Sequence, residues 1–145
     1  MRKLLLVTLF LACGTPAPAP SPYAAHSGSM ALTRDGKTLF VVNPDADSVS
    51  QIDLASRTLV REIMLNGAHA SPDASGAFTP AVMPRALALS PDDETLYVTG
   101  ERSGRLYAID VAAGTTKSSN GICSEPVGVV VSSDGGSVYA ACTQD

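Results

Sequence analysis

The chain has no tryptophan, only three phenylalanines and four tyrosines, two histidines and three cysteines among its 145 residues. With so few aromatics, most of any core must come from Val, Leu, Ile and Ala. No basic cluster is present, and ten Lys and Arg stand against 14 Asp and Glu, a formal charge of −4. That balance lacks the electrostatic footprint that holds a phosphate backbone, so nucleic acid is not an expected partner. No apolar run approaches the roughly 20 residues that cross a bilayer as a helix. The sequence has no C-x-x-C-H, nucleophile elbow, phosphate loop or dinucleotide fingerprint, so it encodes no signature of covalent haem or nucleotide chemistry. Two histidines with no cysteine beside them make a poor metal site. His69 reads as a loop residue, and no metal or other cofactor is expected.

The first residues read as an address. Met1, Arg2 and Lys3 form a short basic head, and 4–12 is an apolar run broken only by Thr8. This is the form of a secretory signal. Ala12-Cys13-Gly14 then resembles a bacterial lipobox, with Phe10 where that pattern prefers Leu. The resemblance implies a signal peptide over 1–12 and lipid attachment at Cys13, hence a membrane partner through a lipid anchor. The competing cleavage site, Ala17-Pro18-Ala19, is followed by Pro20. Residues 13–25 carry a Pro-rich stretch that favours extended polyproline II and cannot build a core. Once the head is removed, eight basic residues face 14 acidic ones, a charge of −6.

The rest of the chain repeats. Residues 31–53 align with 88–110 without a gap at an offset of 57, and eight of the 23 positions are identical. A third copy, VSSDGGSVYAAC from Val131, matches LSPDDETLYVTG from Leu89 at an offset of 42. The difference of 15 residues falls in 66–82, which reads as a loop insertion. Asp35-Gly36 between apolar runs is a hairpin signal. Asp92-Asp93 is a weaker version of it, and Asp134-Gly135-Gly136 a third. Short strands recurring at a period near 42 point to β-propeller blades. The expected fold is therefore all-β, with blades of four antiparallel strands. Residues 26–65 form one blade, 66–82 an insertion, 83–122 a second blade and 123–145 a partial third.

Leu39, Phe40, Val41 and Val42 are apolar in succession, as are Leu96, Tyr97 and Val98. Alternate side chains of a strand point to opposite faces, so both faces of these strands must be dry. Blades stacked face to face achieve this. The stretches DGKTLFVVN…SVSQIDLASRTLV and PDDETLYVTG…GRLYAIDVAAGT resemble the YVTN-type propeller repeat over 26–145. Gly100 departs from that pattern where an Asn is usual. The resemblance implies a bacterial exported propeller, with relatives among propeller lactonases. Propellers use about four to eight blades. About two and a half are present here, an incomplete propeller, which predicts a truncated reading frame or a fragment of a longer protein. Co-assembly with other chains is the third option.

Few residues stand out for chemistry. Cys123 and Cys142 remain to pair as a disulfide in an oxidising compartment, with independent buried thiols as the alternative. Cys142 should face Val127 or Gly128 across a hairpin. Asn43 to Ser48 carries oxygen ligands at alternate positions, as a calcium loop does. It lacks the glycine at the sixth position and a glutamate at the twelfth, where Leu54 stands, so it reads as a solvated turn. Asp53 and Asp110 should cap their own following turns. His26, Arg85 and Glu125 fall at or beside the loops entering the innermost strands, the mouth of a propeller channel. They are candidates for a binding site, with solvated loop residues as the plain alternative.

The expected function is a non-catalytic binding or scaffold module on the bacterial cell envelope, anchored at the outer membrane or cell surface. It would recognise an unidentified protein or small molecule, with 66–82 as a contact loop. A lactonase-like hydrolase at the channel mouth is the enzymatic alternative. The propeller part of an electron-transfer protein containing a c-type cytochrome is the third reading.

Overall fold

In a computed structural model of the chain, residues 28–67, 72, 74–77 and 79–144 are described. They form two four-stranded antiparallel meanders and one hairpin. The first sheet runs β1 (Met30–Leu32), β2 (Thr38–Asn43), β3 (Ser48–Asp53) and β4 (Thr58–Met64). The second runs β5 (Pro84–Leu89), β6 (Thr95–Gly100), β7 (Arg105–Asp110) and β8 (Thr115–Gly121). The hairpin is β9 (Ser124–Val131) with β10 (Val138–Gln144). Among the described residues the sole helical element is a single 3-10 turn, Pro44–Ala46. These are two blades and the inner half of a third.

One turn chemistry sets the register in all three repeats. Thr33 donates its hydroxyl to Asp35 at 2.7 Å, Ser90 to Asp92 at 2.5 Å and Ser132 to Asp134 at 2.5 Å. Each carboxylate also accepts a backbone N–H two residues on, from Lys37, Glu94 and Gly136. Each hydroxyl in turn accepts the N–H of the residue that leads into the next strand, Thr38, Thr95 or Ser137. The following position needs φ > 0. Gly36 and Gly135 supply it without cost, and Asp93 adopts it at φ 61. Asp tolerates this conformation better than most side chains, which is how the weaker Asp92-Asp93 turn still closes its hairpin.

The sheets stack through two apolar layers. Between the first and second lie Phe40, Val42, Val49 and Ile63 from one side, and Leu87, Leu96, Val98, Tyr107 and Ile109 from the other. Between the second and third lie Ala86 and Ala88 against Val129 and Val131, with Tyr97, Leu106 and Val138 packed around them. Leu96 and Val98 face back while Tyr97 faces forward, so β6 is covered on both sides. Each large side chain buried here is worth about 1.5–3 kcal/mol. The innermost strands β1, β5 and β9 lie side by side, and the Leu87 N–H donates to the Gly28 carbonyl across the first junction at 2.8 Å. The outermost strand β8, TTKSSNG, is almost wholly exposed, a polar edge that resists further strand addition.

Candidate functional site

Antiparallel order sends successive turns to alternate ends of the stack. One end carries the three Ser/Thr–Asp turns and the β3–β4 and β7–β8 turns. There Asp53 accepts the Ser56 N–H at 2.7 Å, and Asp110 accepts the Ala113 N–H at 2.8 Å. These bonds are the first cause holding each carboxyl below the usual carboxylate range. The hydroxyls of Thr33, Ser90 and Ser132 do the same for Asp35, Asp92 and Asp134. An open groove of about 560 Å³ runs between the turns, lined by Arg34, Ser90, Asp92, Tyr97 and Asp134 among others. Arg34 crosses it, its backbone N–H donating to Asp93 at 2.8 Å and its guanidinium to the Pro91 carbonyl. The acidic groups here are used to close turns and link sheets.

The opposite end holds the sequence candidates. It begins with Asp47, which follows the 3-10 turn in left-handed backbone at φ 53. Asp47 is 1% exposed. Its two carboxylate oxygens accept the N–H groups of Ala81 (2.6 Å), Val82 (2.9 Å) and Met83 (2.8 Å). The segment Asn43 to Ser48 is therefore not a solvated turn: Asp47 and Ser48 are buried, and the Asp47 oxygens are occupied by backbone. Among the described residues no group of three or more His, Cys, Asp or Glu is arranged to hold a metal ion. From the other side, the carbonyls of Val82 and Met83 accept the N–H groups of Arg102 and Glu101. The segment leading into β5 is thus clamped on both faces.

Beyond the clamp, Met83 takes φ 53 immediately before Pro84, and Glu125 takes φ 50 immediately before Pro126. The two positions are equivalent, 42 residues apart. A non-glycine residue in this region carries backbone strain of about 1–2 kcal/mol, and such strain clusters at functional sites. His26 holds the same place in the first repeat but lies outside the described residues. So do Cys13, His69 and the rest of 1–25.

Arg85 follows on β5, half-exposed, with its Nε 3.6 Å from Glu101 Oε2. That is an ion contact longer than a hydrogen bond, and Glu101 Oε2 is buried with no hydrogen-bond partner. Glu125 is exposed at the start of β9 and accepts the Thr143 hydroxyl at 2.8 Å. Arg85 and Glu125 thus share an end of the stack, each with its own partner. Cys123 and Cys142 are joined as a disulfide, their Cα atoms 6.3 Å apart. Cys142 faces Pro126, one bulge away from the Ala141–Gly128 pair. The bridge ties the chain before β9 to the end of β10. Glu101 is the residue that composition and motif did not single out, and Asp47, read as one oxygen of a solvated turn, is instead a buried acceptor of backbone N–H groups. For Asp47 the available signal was an Asp at the turn position where the second repeat has Gly104.

No family model matches the sequence, and no curated protein matches it. Solved structures do match. Hydrazine synthase from Kuenenia stuttgartiensis superposes with a TM-score of 0.65 at 24% identity, over 90% of this chain and 32% of that one. The chain has a propeller-type fold. A candidate 6-phosphogluconolactonase from Bacteroides fragilis gives a TM-score of 0.57 at 19% identity, over 79% of this chain and 32% of its own. One from Bacteroides uniformis gives 0.52 at 22%, over 81% and 34%. This propeller-type chain spans about a third of the length of each of these structures. At such identities the likeness is one of fold.

Proposed function

We propose that this chain is the YVTN-type propeller part of an exported lipoprotein, and that it serves as a recognition module at the cell envelope. The observation that carries the reading is the clamp at Asp47. It fixes 81–83, where the insertion runs into the second sheet, to the first sheet through three hydrogen bonds, so the C-terminal end of the insertion is held on a rigid frame. Rigid frames carrying variable loops are the usual platform for binding. The lipid anchor at Cys13 and the Pro-rich tether would set that platform off a membrane surface.

The test is metabolic labelling with a radioactive fatty acid in a bacterial host, followed by fractionation. The wild-type chain is expected to carry label and to sediment with membranes. Cys13→Ser should lose both, and an unlabelled, soluble wild-type chain would overturn the envelope reading.

A lactonase-like hydrolase is the second reading, favoured by Arg85, Glu101 and Glu125 gathering at one end of a propeller-type fold. It requires turnover of a simple lactone that Arg85→Gln abolishes without lowering the melting temperature. The third reading, electron transfer, rests on fold likeness alone.

A further inference from the structure

The chain holds three asparagines, at 43, 66 and 120, and the fold gives each a different backbone. Asn43 precedes Pro44 and donates its side-chain amide to the Ser48 and Ser50 hydroxyls. Asn66 precedes Gly67, and Asn120 precedes Gly121. An asparagine side chain is an electrophile for the backbone nitrogen of the next residue. That nitrogen attacks Cγ, its proton passes to the departing amide, and ammonia leaves a succinimide ring behind. Water then opens the ring at one carbonyl or the other and yields aspartate or isoaspartate. A following glycine favours the attack because no Cβ crowds it. Pro44 has no N–H to give, so Asn43 is closed to this route.

Asn120 lies inside β8, paired with Leu106, and Gly121 is paired with Arg105. The Ile122 N–H continues the ladder to the Gly104 carbonyl at 3.0 Å. Asn120 is exposed, so its protection comes from the strand and not from burial. Bringing the Gly121 nitrogen onto Cγ means turning the Asn120 backbone out of its extended form, which breaks that pairing. Asn66 carries no such restraint. The backbone bond before it runs from the Leu65 N–H to the Asp47 carbonyl at 2.9 Å. Beyond that bond, Asn66 and Gly67 are exposed and belong to no strand. Gly67 takes φ +73, and nothing stands within 4 Å of the place its Cβ would fill. Gly36 and Gly135 also follow a side-chain carboxyl, Asp35 and Asp134, but their N–H groups are committed to the Thr33 and Ser132 carbonyls at 2.9 Å. The Gly67 N–H has no such acceptor among the described residues. We infer that Asn66 is a site of self-modification, converting to aspartate and isoaspartate in the folded protein while Asn120 keeps its amide. The reaction needs only water, and it lies between two sheets that each have all four strands. Its product puts a new carboxylate, and in the isoaspartyl form an extra backbone methylene, where the chain leaves the first sheet for the 66–82 insertion.

The test is incubation of the purified full chain at neutral pH and body temperature, with samples digested by trypsin and read by mass spectrometry. Asn66 falls in the tryptic peptide 62–85 and Asn120 in 118–145, so the two sites are followed separately in one sample. In the folded chain, conversion at Asn66 should outrun conversion at Asn120 by about tenfold or more. Electron-transfer fragmentation should find isoaspartate in the converted 62–85 peptide. In guanidinium chloride the two sites should convert at similar rates, since both are Asn-Gly and only the strand sets them apart. Gly67→Ala should slow Asn66 by about tenfold in the folded chain and leave Asn120 unchanged. Equal rates at the two sites in the folded chain, an Asn120 that stays slow after unfolding, or an Asn66 rate untouched by Gly67→Ala would each overturn the inference.

Discussion

The carboxylate of Asp47 lies 2.9 Å from the backbone nitrogen of Val82, 35 residues further along the chain and on the far side of the first sheet junction. With Ala81 and Met83 it forms a three-bond cradle around a carboxylate that is itself buried. Asp47→Ala leaves those donors without an acceptor. Orphaned buried donors cost about 1–3 kcal/mol each, partly relieved by relaxation. We expect a loss of about 2–4 kcal/mol in urea unfolding, with Asp47→Asn between that and wild type. A loss below about 0.5 kcal/mol would show that the cradle does not hold the junction.

The five aspartates at the opposite end tie stability to pH. Their carboxyls are held below the ordinary range by the hydroxyl and backbone bonds they accept when folded. A depressed folded value means the unfolded chain takes up protons first as pH falls. Their contribution is therefore complete above the ordinary carboxylate range and is lost as pH drops through the lowered values. The denaturation midpoint should stay flat from neutral pH to mildly acidic pH and fall below that. Ser90→Ala should move the Asp92 carboxyl titration, followed by carbon NMR, back up toward its usual value. No movement would mean that the Ser90 hydroxyl is not the cause.

The disulfide closes a loop with a sequence separation of 19 residues. A loop of that size stabilises by about 3 kcal/mol through the unfolded chain. Reduction, or Cys142→Ser, should make 124–144 the first segment cut in limited proteolysis, while the first two sheets persist. Protection of the hairpin under reducing conditions would show that packing of Val129 and Val131 suffices alone.

Two glycine substitutions should go opposite ways. Gly104 has φ +65, and an added Cβ would stand 2.8 Å from the Cys123 carbonyl oxygen. Gly104→Ala should cost more than about 1 kcal/mol from strain and crowding. Met83 already occupies left-handed backbone, and its N–H bond to Asp47 survives substitution. Met83→Gly should be neutral or stabilising by up to about 1 kcal/mol in thermal or urea unfolding. Destabilisation by Met83→Gly would show that its side-chain packing outweighs the backbone strain.

Repeat, strand and turn are legible in the sequence because each is written in residues close along the chain. Leu96 to Val98 read as a strand dry on two sides, which the stack covers on both, and the last strand of the first blade ends at Met64, one residue inside the expected blade boundary at 65. Asp53 and Asp110 close the turns that follow them because an aspartate reaches only its near backbone. The same local logic misread Asp47. Its partners lie at the far end of a loop insertion, and nothing near it in sequence says that three N–H groups will arrive. Arg85 and Glu125 were placed at one end by strand counting, while their actual partners, Glu101 and Thr143, depended on side-chain reach.

What the amino-acid order determined alone was period, polarity and the alternation of faces, since these follow from one side chain per 3.3 Å or so of strand. What only the folded molecule decided was the pairing across junctions: which aspartate is solvated and which is buried, and which apolar face is covered. Those outcomes depend on groups far apart in the chain competing with water for the same donors and the same apolar surface, and that competition is settled only when the sheets meet.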